Sequence, residues 1–225
     1  MTRGAKRPAG RPPVSHPCFS HWYPRAEGAL ERMVGEARRL QNAQAVGRTL
    51  IVGAGTGLDV PALGPQVTEV ILLEPDAAMR DILRQRYPHL PILPDVAEAL
   101  TLPPSSVDTA ISSLVLCSVG QVPQALRQLA RVLRPGGQYL FLEHVSQTGA
   151  WGGVQRLLDP LWQRVGAGCH LTRDVAAAIR DSPLALDSVS RVRQGGLVPV
   201  IRGRAIKGQP LDGRQESPSA APGAQ

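Results

Sequence analysis

The sequence is poor in cysteine and in aromatic residues, and it contains no long hydrophobic run. Its 225 residues include three cysteines, and aromatic residues make up 4% of the chain. An odd number of cysteines without a C-x-x-C pair argues against a disulfide framework and a structural zinc site, and it is typical of a reducing compartment. No apolar stretch approaches the length of a membrane span, and no secretory leader is visible. We therefore expect a soluble cytoplasmic protein.

Acidic residues are missing from the first 14 positions, which carry four arginines and lysines. The formal net charge is +7 for the whole chain, so +3 remains outside this segment. The positive excess thus lies mostly in a Pro- and Gly-rich tail, and few aromatic rings are present to stack on bases, which disfavours nucleic acid as a partner. We expect disordered tails at 1–15 and 208–225 and one folded domain at 16–207.

A glycine-rich turn directly follows the apolar run 49–52. Gly53, Gly55 and Gly57 alternate with other residues, and Ala54 separates the first two. A β-branched apolar run that meets such a turn predicts a buried parallel strand, a tight loop and a following helix. Glycines allow a backbone to approach a ligand closely, and a helix N-terminus presents unpaired N–H groups. The loop therefore predicts a nucleotide-like ligand, although a glycine-rich turn of purely steric origin fits the same pattern.

The next apolar run, 70–73, ends in Glu74 and Pro75. A carboxylate at the tip of the second strand of a doubly wound sheet can accept hydrogen bonds from both hydroxyls of a ribose. Leu58 occupies the position where a dinucleotide-binding fingerprint requires its third glycine, and no basic residue is placed to hold a pyrophosphate. These features favour S-adenosylmethionine (SAM) over a nicotinamide cofactor.

The glycine loop, the acidic strand tip and the tract Arg-Val-Leu-Arg-Pro-Gly-Gly at 131–137 resemble the class I SAM-dependent methyltransferases, and the resemblance covers roughly residues 16–206. It implies an α/β fold with a Rossmann-like sheet of seven strands, parallel except for a C-terminal antiparallel hairpin strand, with helices on both faces. It also implies SAM as the cofactor, held by the glycine loop and Glu74. The other cofactor-binding candidates that it implies are Pro75, Asp95, Val96, Ala97, Ser113 and Leu114.

The adenine position in this resemblance has two possible registers. Asp95 follows the predicted third strand and can accept a hydrogen bond from the exocyclic amine. Alignment of 97–100 with the quinone-biosynthesis methyltransferases places Val96 there instead. Both registers stay open from the sequence. Ser113 and Leu114 are expected at the end of the fourth strand, near the methyl donor.

The remaining hydrophobic periodicity predicts several helices and short strands. Pro61 restricts the helix after the glycine loop, and Thr172 is expected to cap a short helix that ends at Ile179. The helix at 151–165 has an apolar face that we expect to pack on the core or to wall the substrate pocket rather than to face a membrane. The predicted ranges are helices at 25–42, 76–87 and 121–133, strands at 68–74, 90–93, 107–113 and 138–142, and a hairpin at 187–193 and 198–206.

An unusually aromatic segment lies just before the first long helix. Phe19, Trp22 and Tyr23 fall within five positions, His16 precedes them and His21 lies among them. One interpretation is an N-terminal helix whose rings pack on the sheet edge. The other is a lid over the SAM pocket, with Tyr23 and one of the histidines facing the cofactor. The two interpretations are compatible.

Three tracts narrow the resemblance: 114–119, 143–145, and 157–162 followed by 168–173. Together they resemble the methyltransferase-like proteins that include the microsomal alkyl thiol methyltransferases and their bacterial relatives. The resemblance implies methyl transfer to a small-molecule acceptor, with a thiol favoured. His170 stands where those proteins have asparagine after a Gly-Cys pair, so acceptor preference can differ.

Catalysis needs little besides alignment, because the sulfonium of SAM is already activated. No metal and no covalent nucleophile is required. His144 is the candidate general base, since imidazole titrates near neutrality and ligands bind at the carboxyl ends of such strands. His170 and Tyr23 are second choices, and Cys117 is interpreted as a small buried hydrophobe.

Three alternatives remain open at this point. The acceptor can be a quinone, a phenol or a lipid amine rather than a thiol. The protein can instead be a nicotinamide-dependent oxidoreductase, although Leu58 and the Arg-Pro-Gly-Gly tract count against it. It can also bind SAM without catalysing transfer.

Overall fold

The computed structural model of the protein describes residues 17–145, 149–192 and 199–209. The expectations for both tails, for His16 and for the glycine turn of the C-terminal hairpin concern residues outside these ranges. Within the described ranges, none of the helices combines the length and apolar character that crossing a bilayer requires.

Seven strands form one sheet in the order β3-β2-β1-β4-β5-β7-β6. The pairs among β1 to β5 are parallel, whereas β7 pairs antiparallel with both β5 and β6. The predicted α/β, Rossmann-like class is therefore confirmed, including the antiparallel hairpin. The strands are β1 (Gly47–Val52), β2 (Val67–Leu73), β3 (Ile92–Leu93), β4 (Val107–Ser113), β5 (Leu133–His144), β6 (Leu184–Val192) and β7 (Val200–Lys207).

In the described part of the chain, five α-helices accompany the sheet, and a short 3₁₀ turn at Val60–Ala62 takes the place of a helix directly after the glycine loop. Pro61 lies at the start of that turn, which agrees with the predicted restriction. The helices are α1 (Pro17–Asn42), α2 (Ala77–Arg86), α3 (Val122–Val132), α4 (Gly149–Val165) and α5 (Val175–Arg180).

Three predicted element ends were wrong. Helix α1 begins eight residues before position 25, so it includes the aromatic segment, and it continues through Pro24. Strand β5 begins at Leu133 rather than 138, because Leu133 pairs with Val107 before the register shifts at the glycine turn. Helix α5 is capped by Asp174, whose carboxylate accepts a 2.9 Å hydrogen bond from the Ala177 amide, and not by Thr172.

The predicted burial of the apolar face of α4 was also wrong. Leu157 is 79% exposed and Leu161 60% exposed, while Val154 and Leu158 are exposed as well. Trp162, at 37% exposure, touches the cavity described below, so one residue of the face does wall the pocket. The hydrophobic period identified the helix correctly, but period alone does not show which neighbours cover a face.

The main core lies between the sheet and helices α3 and α5. In α3, Ala125, Leu126 and Leu129 are fully buried on one face, and Leu50 and Phe141 of the central strands are fully buried as well. The chain order reverses between β1 and β4, so the loops leaving these strands diverge and open a crevice at their carboxyl ends. The fold therefore places the glycine loop and the ends of β2, β4 and β5 around one crevice.

Candidate active site

A cavity of about 660 Å³ opens at the carboxyl ends of β1, β2, β4 and β5. It extends from the glycine loop to the loop between α4 and α5, and α1 covers one side. Among the predicted cofactor residues, those on its wall are Gly53, Gly55, Glu74, Pro75, Val96, Ala97, Ser113, Leu114 and Tyr23, and the candidate base His144 lies on the same wall.

Glu74 connects the tip of β2 to the glycine loop. Its Oε2 accepts a 2.8 Å hydrogen bond from the Gly55 amide, and its Oε1 accepts one of 2.8 Å from the Asp76 amide. Burial raises the pKa of the Glu74 carboxyl above its ordinary value, although the two amides oppose this shift. Each carboxylate oxygen keeps lone-pair capacity for a further donor, so the side chain can receive the two hydroxyls of a ribose.

The three positions of the loop require glycine for different structural reasons. A Cβ on Gly53 would lie 2.7 Å from the Val115 side chain, and one on Gly57 would lie 2.3 Å from the Tyr87 ring. Both residues have positive φ. A Cβ on Gly55 would meet Tyr23 only at 3.7 Å. Gly55 is thus the glycine that leaves room beside the cavity.

Two predicted cofactor residues of this loop lie behind the cavity among the described residues. Ala54 is 4% exposed and packs with Leu83. The Gly57 carbonyl accepts a 3.0 Å hydrogen bond from the Tyr87 hydroxyl, so Gly57 supports the loop against helix α2. Their assignment as direct cofactor contacts is not supported by this placement.

The aromatic residues of α1 form the cover of the cavity. The Phe19 and Tyr23 ring centroids are 4.7 Å apart, and Phe19 and Trp22 are 5.3 Å apart in an edge-to-face arrangement. All three rings line the cavity, whereas His21 is exposed. Burial raises the pKa of Tyr23 to about 12, so its phenol stays protonated near neutrality. Tyr23 can wall the cofactor site but is a poor choice of base.

The contacts of the loop after β3 distinguish between the two candidate positions for adenine binding, Asp95 and Val96. The Asp95 carboxylate accepts hydrogen bonds of 2.7 Å and 2.6 Å from the amide and hydroxyl of Thr101. Val96 and Ala97 line the cavity, and so does Glu98, which accepts a 3.2 Å hydrogen bond from the Gln121 amide. The Asp95 carboxylate therefore stabilises the turn through Thr101. The position of Val96 on the cavity wall favours the register that places Val96 at the adenine.

Asp59 was missed by the sequence reasoning although it supports the end of β4. Its Oδ1 accepts hydrogen bonds of 2.6 Å from the Ser113 hydroxyl and 2.8 Å from the Asn42 side chain. The Arg38 guanidinium lies 3.3 Å from the same oxygen and also pairs with Glu31. Ser113 is thereby fixed at the cavity wall. An acid two residues after a glycine loop was the only local signal.

Leu114, the next residue, adopts a left-handed backbone with φ of 61°. This conformation costs an L-residue about 1–2 kcal/mol. The Leu114 amide donates a 2.6 Å hydrogen bond to the Leu142 carbonyl, which holds the sharp exit of β4 beside β5. Such strain is typical of functional turns.

Glu143 holds the same exit from the β5 side. Its Oε1 accepts hydrogen bonds from the Ser112 hydroxyl at 2.7 Å and from the Val115 and Leu116 amides at 3.1 Å and 3.0 Å. Complete burial raises the pKa of its carboxyl. Glu143 is thus a structural acceptor.

His144 meets two cysteines at the far end of the cavity. Its Nδ1 lies 3.7 Å from Cys169 Sγ, and Cys117 lines the same wall. Cys117 is 1% exposed, as its interpretation as a buried residue requires. A hydrogen bond with Cys169, added to burial, raises the pKa of the Cys117 thiol, while the same bond and the nearby imidazole lower the pKa of the Cys169 thiol.

His170, the other candidate histidine, lies apart from this cavity wall in the described structure. Its Nδ1 is 2.9 Å from Gln163 Nε2 and 3.4 Å from an Asp159 carboxylate oxygen. The side chain therefore supports the loop between α4 and α5, and this position makes His144 the better candidate base.

Comparison with known proteins identifies the class. Residues 50–141 match the family described as "Methyltransferase domain". The thiol S-methyltransferase TMT1B of Homo sapiens is 27% identical over 195 residues, which cover 80% of this chain and 79% of that protein. TMT1B of Rattus norvegicus is 46% identical over 72 residues, covering 31% of this chain and 30% of that protein.

Solved structures agree with this match. A SAM-dependent methyltransferase from Thermotoga maritima, described as a possible histamine N-methyltransferase, superposes with a TM-score of 0.65 at 20% identity. The superposition covers 84% of this chain and 98% of that one, and at this identity it shows the fold.

The family match and the curated relatives identify a SAM-dependent methyltransferase with SAM as its cofactor. The fold and its crevice are those of class I. This result decides against the nicotinamide-dependent alternative. Within the class, the chain is similar to the thiol S-methyltransferases TMT1A and TMT1B, although its matches to the first two curated relatives span less than half of their lengths.

Proposed function

We propose that this protein transfers the methyl group of SAM to the thiol of a small, largely apolar molecule. The observation that carries the proposal is the position of His144, on the wall of the same cavity as Gly55 and Glu74. The cofactor would lie along the glycine loop with its ribose on Glu74. The acceptor would then enter beside Leu114 and Trp162, whose side chains make that end of the cavity apolar.

The reaction is an in-line displacement. The acceptor thiol loses its proton to His144, and the resulting thiolate attacks the methyl carbon of SAM. The bond between that carbon and the sulfonium breaks, its electron pair stays on sulfur, and S-adenosylhomocysteine and a methyl thioether leave. A thiol has an ordinary pKa of about 8.5 and reacts as the thiolate, so a base matters most near pH 7.

The similarity to thiol S-methyltransferases supports the choice of acceptor. A panel that mixes acceptor classes tests this choice. The experiment supplies labelled SAM and a panel of small thiols, phenols, quinols and amines at pH 7 and pH 8.5. We expect label on thiols, with faster transfer at pH 8.5.

Substitution of His144 tests the assignment of the base. His144→Ala should slow thiol methylation at pH 7 by about 10²- to 10⁴-fold and less at pH 8.5, where the acceptor ionises without help. His89→Ala is the matched control, because His89 is exposed and lies outside the cavity wall. Label confined to phenols or amines would overturn the thiol proposal, and SAM binding without any transfer would indicate a binding role. Activity within twofold in His144→Ala would remove this residue as the base.

A further inference from the structure

Three side chains with soft or borderline ligand atoms converge at the acceptor end of the cavity. Cys117 follows β4, His144 ends β5, and Cys169 lies between α4 and α5. Their two sulfurs and one imidazole nitrogen all lie within 4.8 Å of one another. The fold thus assembles a Cys₂His group from three separate segments.

Hydrogen bonds hold the two cysteine loops in place without involving the side chains of Cys117, His144 and Cys169. The His170 amide donates to the Cys117 carbonyl at 2.9 Å, and the Cys169 amide donates to the Gly166 carbonyl at 3.0 Å. The Leu171 amide adds a 2.6 Å hydrogen bond to the Asp159 carboxylate. The group is therefore positioned before any ligand binds.

We propose that Cys117, His144 and Cys169 bind one Zn²⁺ ion whose fourth coordination position faces the cavity. Zinc takes thiolate ligands at about 2.3 Å and imidazole at about 2.0–2.1 Å, which sets the edges of a tetrahedral site at about 3.6–3.8 Å. The distance of 3.7 Å between Cys169 Sγ and His144 Nδ1 already has this length. The remaining separations are all within 4.8 Å and would shorten to this length when the ion binds.

The ligand set and its place distinguish this site from a structural one. Structural zinc sites use four protein ligands, whereas catalytic sites use three, Cys₂His among them, and keep the fourth position open. All three residues line the cavity that holds the cofactor loop. The open position therefore faces the space assigned to the acceptor.

The chemical consequence rests on the proposed thiol acceptor. A thiol that coordinates Zn²⁺ gives its proton to solvent and stays on the metal as thiolate. That thiolate attacks the methyl carbon of SAM, the carbon–sulfonium bond breaks with its electron pair on sulfur, and a neutral thioether leaves the metal. In the metal-loaded protein His144 is a ligand, and the ion replaces it in activating the thiol.

Cobalt substitution tests the site directly, because Co²⁺ bound to thiolates gives charge-transfer absorption and tetrahedral d–d bands. The full chain is reduced, stripped with a chelator and titrated with Co²⁺ and then Zn²⁺. We expect one Co²⁺ per chain with thiolate bands that Zn²⁺ displaces. Absence of these bands in the fully reduced protein would overturn the proposal.

Three single substitutions locate the ligands. Cys117→Ser and Cys169→Ser should each weaken the metal at least about 100-fold, since loss of a ligand costs no less than loss of an outer partner. Cys18→Ser, at the third cysteine of the chain, should leave the titration unchanged. SAM affinity checks that each variant is folded, and the second cysteine variant keeps the test valid if the first does not fold. Bands that persist in both variants would overturn the assignment.

Methyl transfer by the same samples separates this proposal from the proposed function. Thiol methylation that is lost on metal removal and restored by Zn²⁺ supports the zinc site and the thiol acceptor, and it replaces His144 as the base by the metal ion. Thiol methylation that is indifferent to the metal and to Cys169→Ser keeps the proposed function and overturns the role of the ion. Metal binding without thiol methylation keeps the site and removes the thiol acceptor.

Discussion

The Glu74 carboxylate accepts a 2.8 Å hydrogen bond from the Gly55 amide, so the acidic tip of β2 and the glycine loop form one unit. We expect Glu74→Gln to weaken SAM by about 1.5–3 kcal/mol, or roughly 10- to 100-fold in Kd, because charge-assisted hydrogen bonds to the ribose are lost. Isothermal titration calorimetry measures this change. Glu69→Gln is the matched control, since Glu69 lies on the same strand and its side chain is 49% exposed.

The pH dependence of SAM affinity follows from the raised pKa of Glu74. Ribose hydroxyls donate to the carboxylate, so affinity should fall as pH falls through this pKa, at a higher pH than for an ordinary glutamate. The stability of the free protein depends on pH in the opposite direction. The raised pKa means that Glu74 binds its proton more tightly in the folded state than in the unfolded state. Glu74 therefore contributes stability below its unfolded-state pKa, and this contribution is lost as pH rises through its folded-state pKa. Glu74→Gln should remove both trends. An unchanged pH profile in that variant would contradict the ribose assignment.

Removal of the Asp59 carboxylate should destabilise the support of the site. Asp59→Ala leaves the buried Arg38 with only Glu31 and deprives Ser113 of its acceptor. We expect a loss of about 3 kcal/mol in the free energy of unfolding, because breaking a buried ion pair on one side strands the other charge. Urea denaturation measures it.

The control for this prediction is an exposed ion pair. Asp81 and Arg84 lie on α2 with side chains that are 67% and 58% exposed. Asp81→Ala should therefore change stability by less than about 1 kcal/mol. Equal effects of the two substitutions would show that Arg38 is not stabilised by Asp59.

Local signals explain which parts of the fold and site could be predicted from the sequence. The apolar runs of β1, β2 and β4, the glycines between them and Glu74 are adjacent in the chain, so periodicity and spacing identified them. Asp59 and Ser113 meet across 54 positions, and Cys117, His144 and Cys169 come from three elements. No spacing rule relates such residues, so the sequence alone could not bring them together.

The choice between Asp95 and Val96 and the start of α1 could not be predicted from the local sequence for a different reason. Asp95 and Val96 are neighbours, and only the hydrogen bonds to Thr101 turn Asp95 away from the cavity. The periodic pattern placed the start of the first long helix at 25, whereas α1 begins at Pro17, and Phe19 and Tyr23 pack together beside the glycine loop. In both cases a contact formed by the fold overrides a preference of the chain.

Gly57→Ala should destabilise the protein more than Gly136→Ala. Both glycines have positive φ, so each substitution pays a similar backbone cost of about 1–2 kcal/mol. A Cβ at Gly57 also meets the Tyr87 ring at 2.3 Å, whereas one at Gly136 has no neighbour within 4 Å. Overpacking adds about 1–3 kcal/mol. Thermal and urea unfolding of the two variants measure the decrease in the free energy of unfolding. Equal decreases would show that the Tyr87 ring moves away from the added Cβ without a measurable cost.

Tyr23 should act through its ring and not through its hydroxyl. Its pKa is raised to about 12 by burial, so the phenol keeps its proton throughout the range from pH 7 to pH 9. Tyr23→Phe should therefore leave the shape of the pH–rate profile unchanged. Tyr23→Ala should weaken SAM by about 1.5–3 kcal/mol, because the ring that covers the glycine loop no longer buries apolar surface.

Steady-state kinetics and calorimetry of the two variants distinguish wall from base. If Tyr23 only walls the cofactor site, Tyr23→Ala should raise KM and Kd for SAM. Tyr23→Phe should then keep kcat within a few-fold of the parent value. A base would instead lose kcat in Tyr23→Phe, most strongly at low pH. A loss of kcat in Tyr23→Phe would assign the proton-accepting role to Tyr23 instead of His144. It would also mean that the bound cofactor lowers the pKa of the Tyr23 phenol, which burial raises in the free protein.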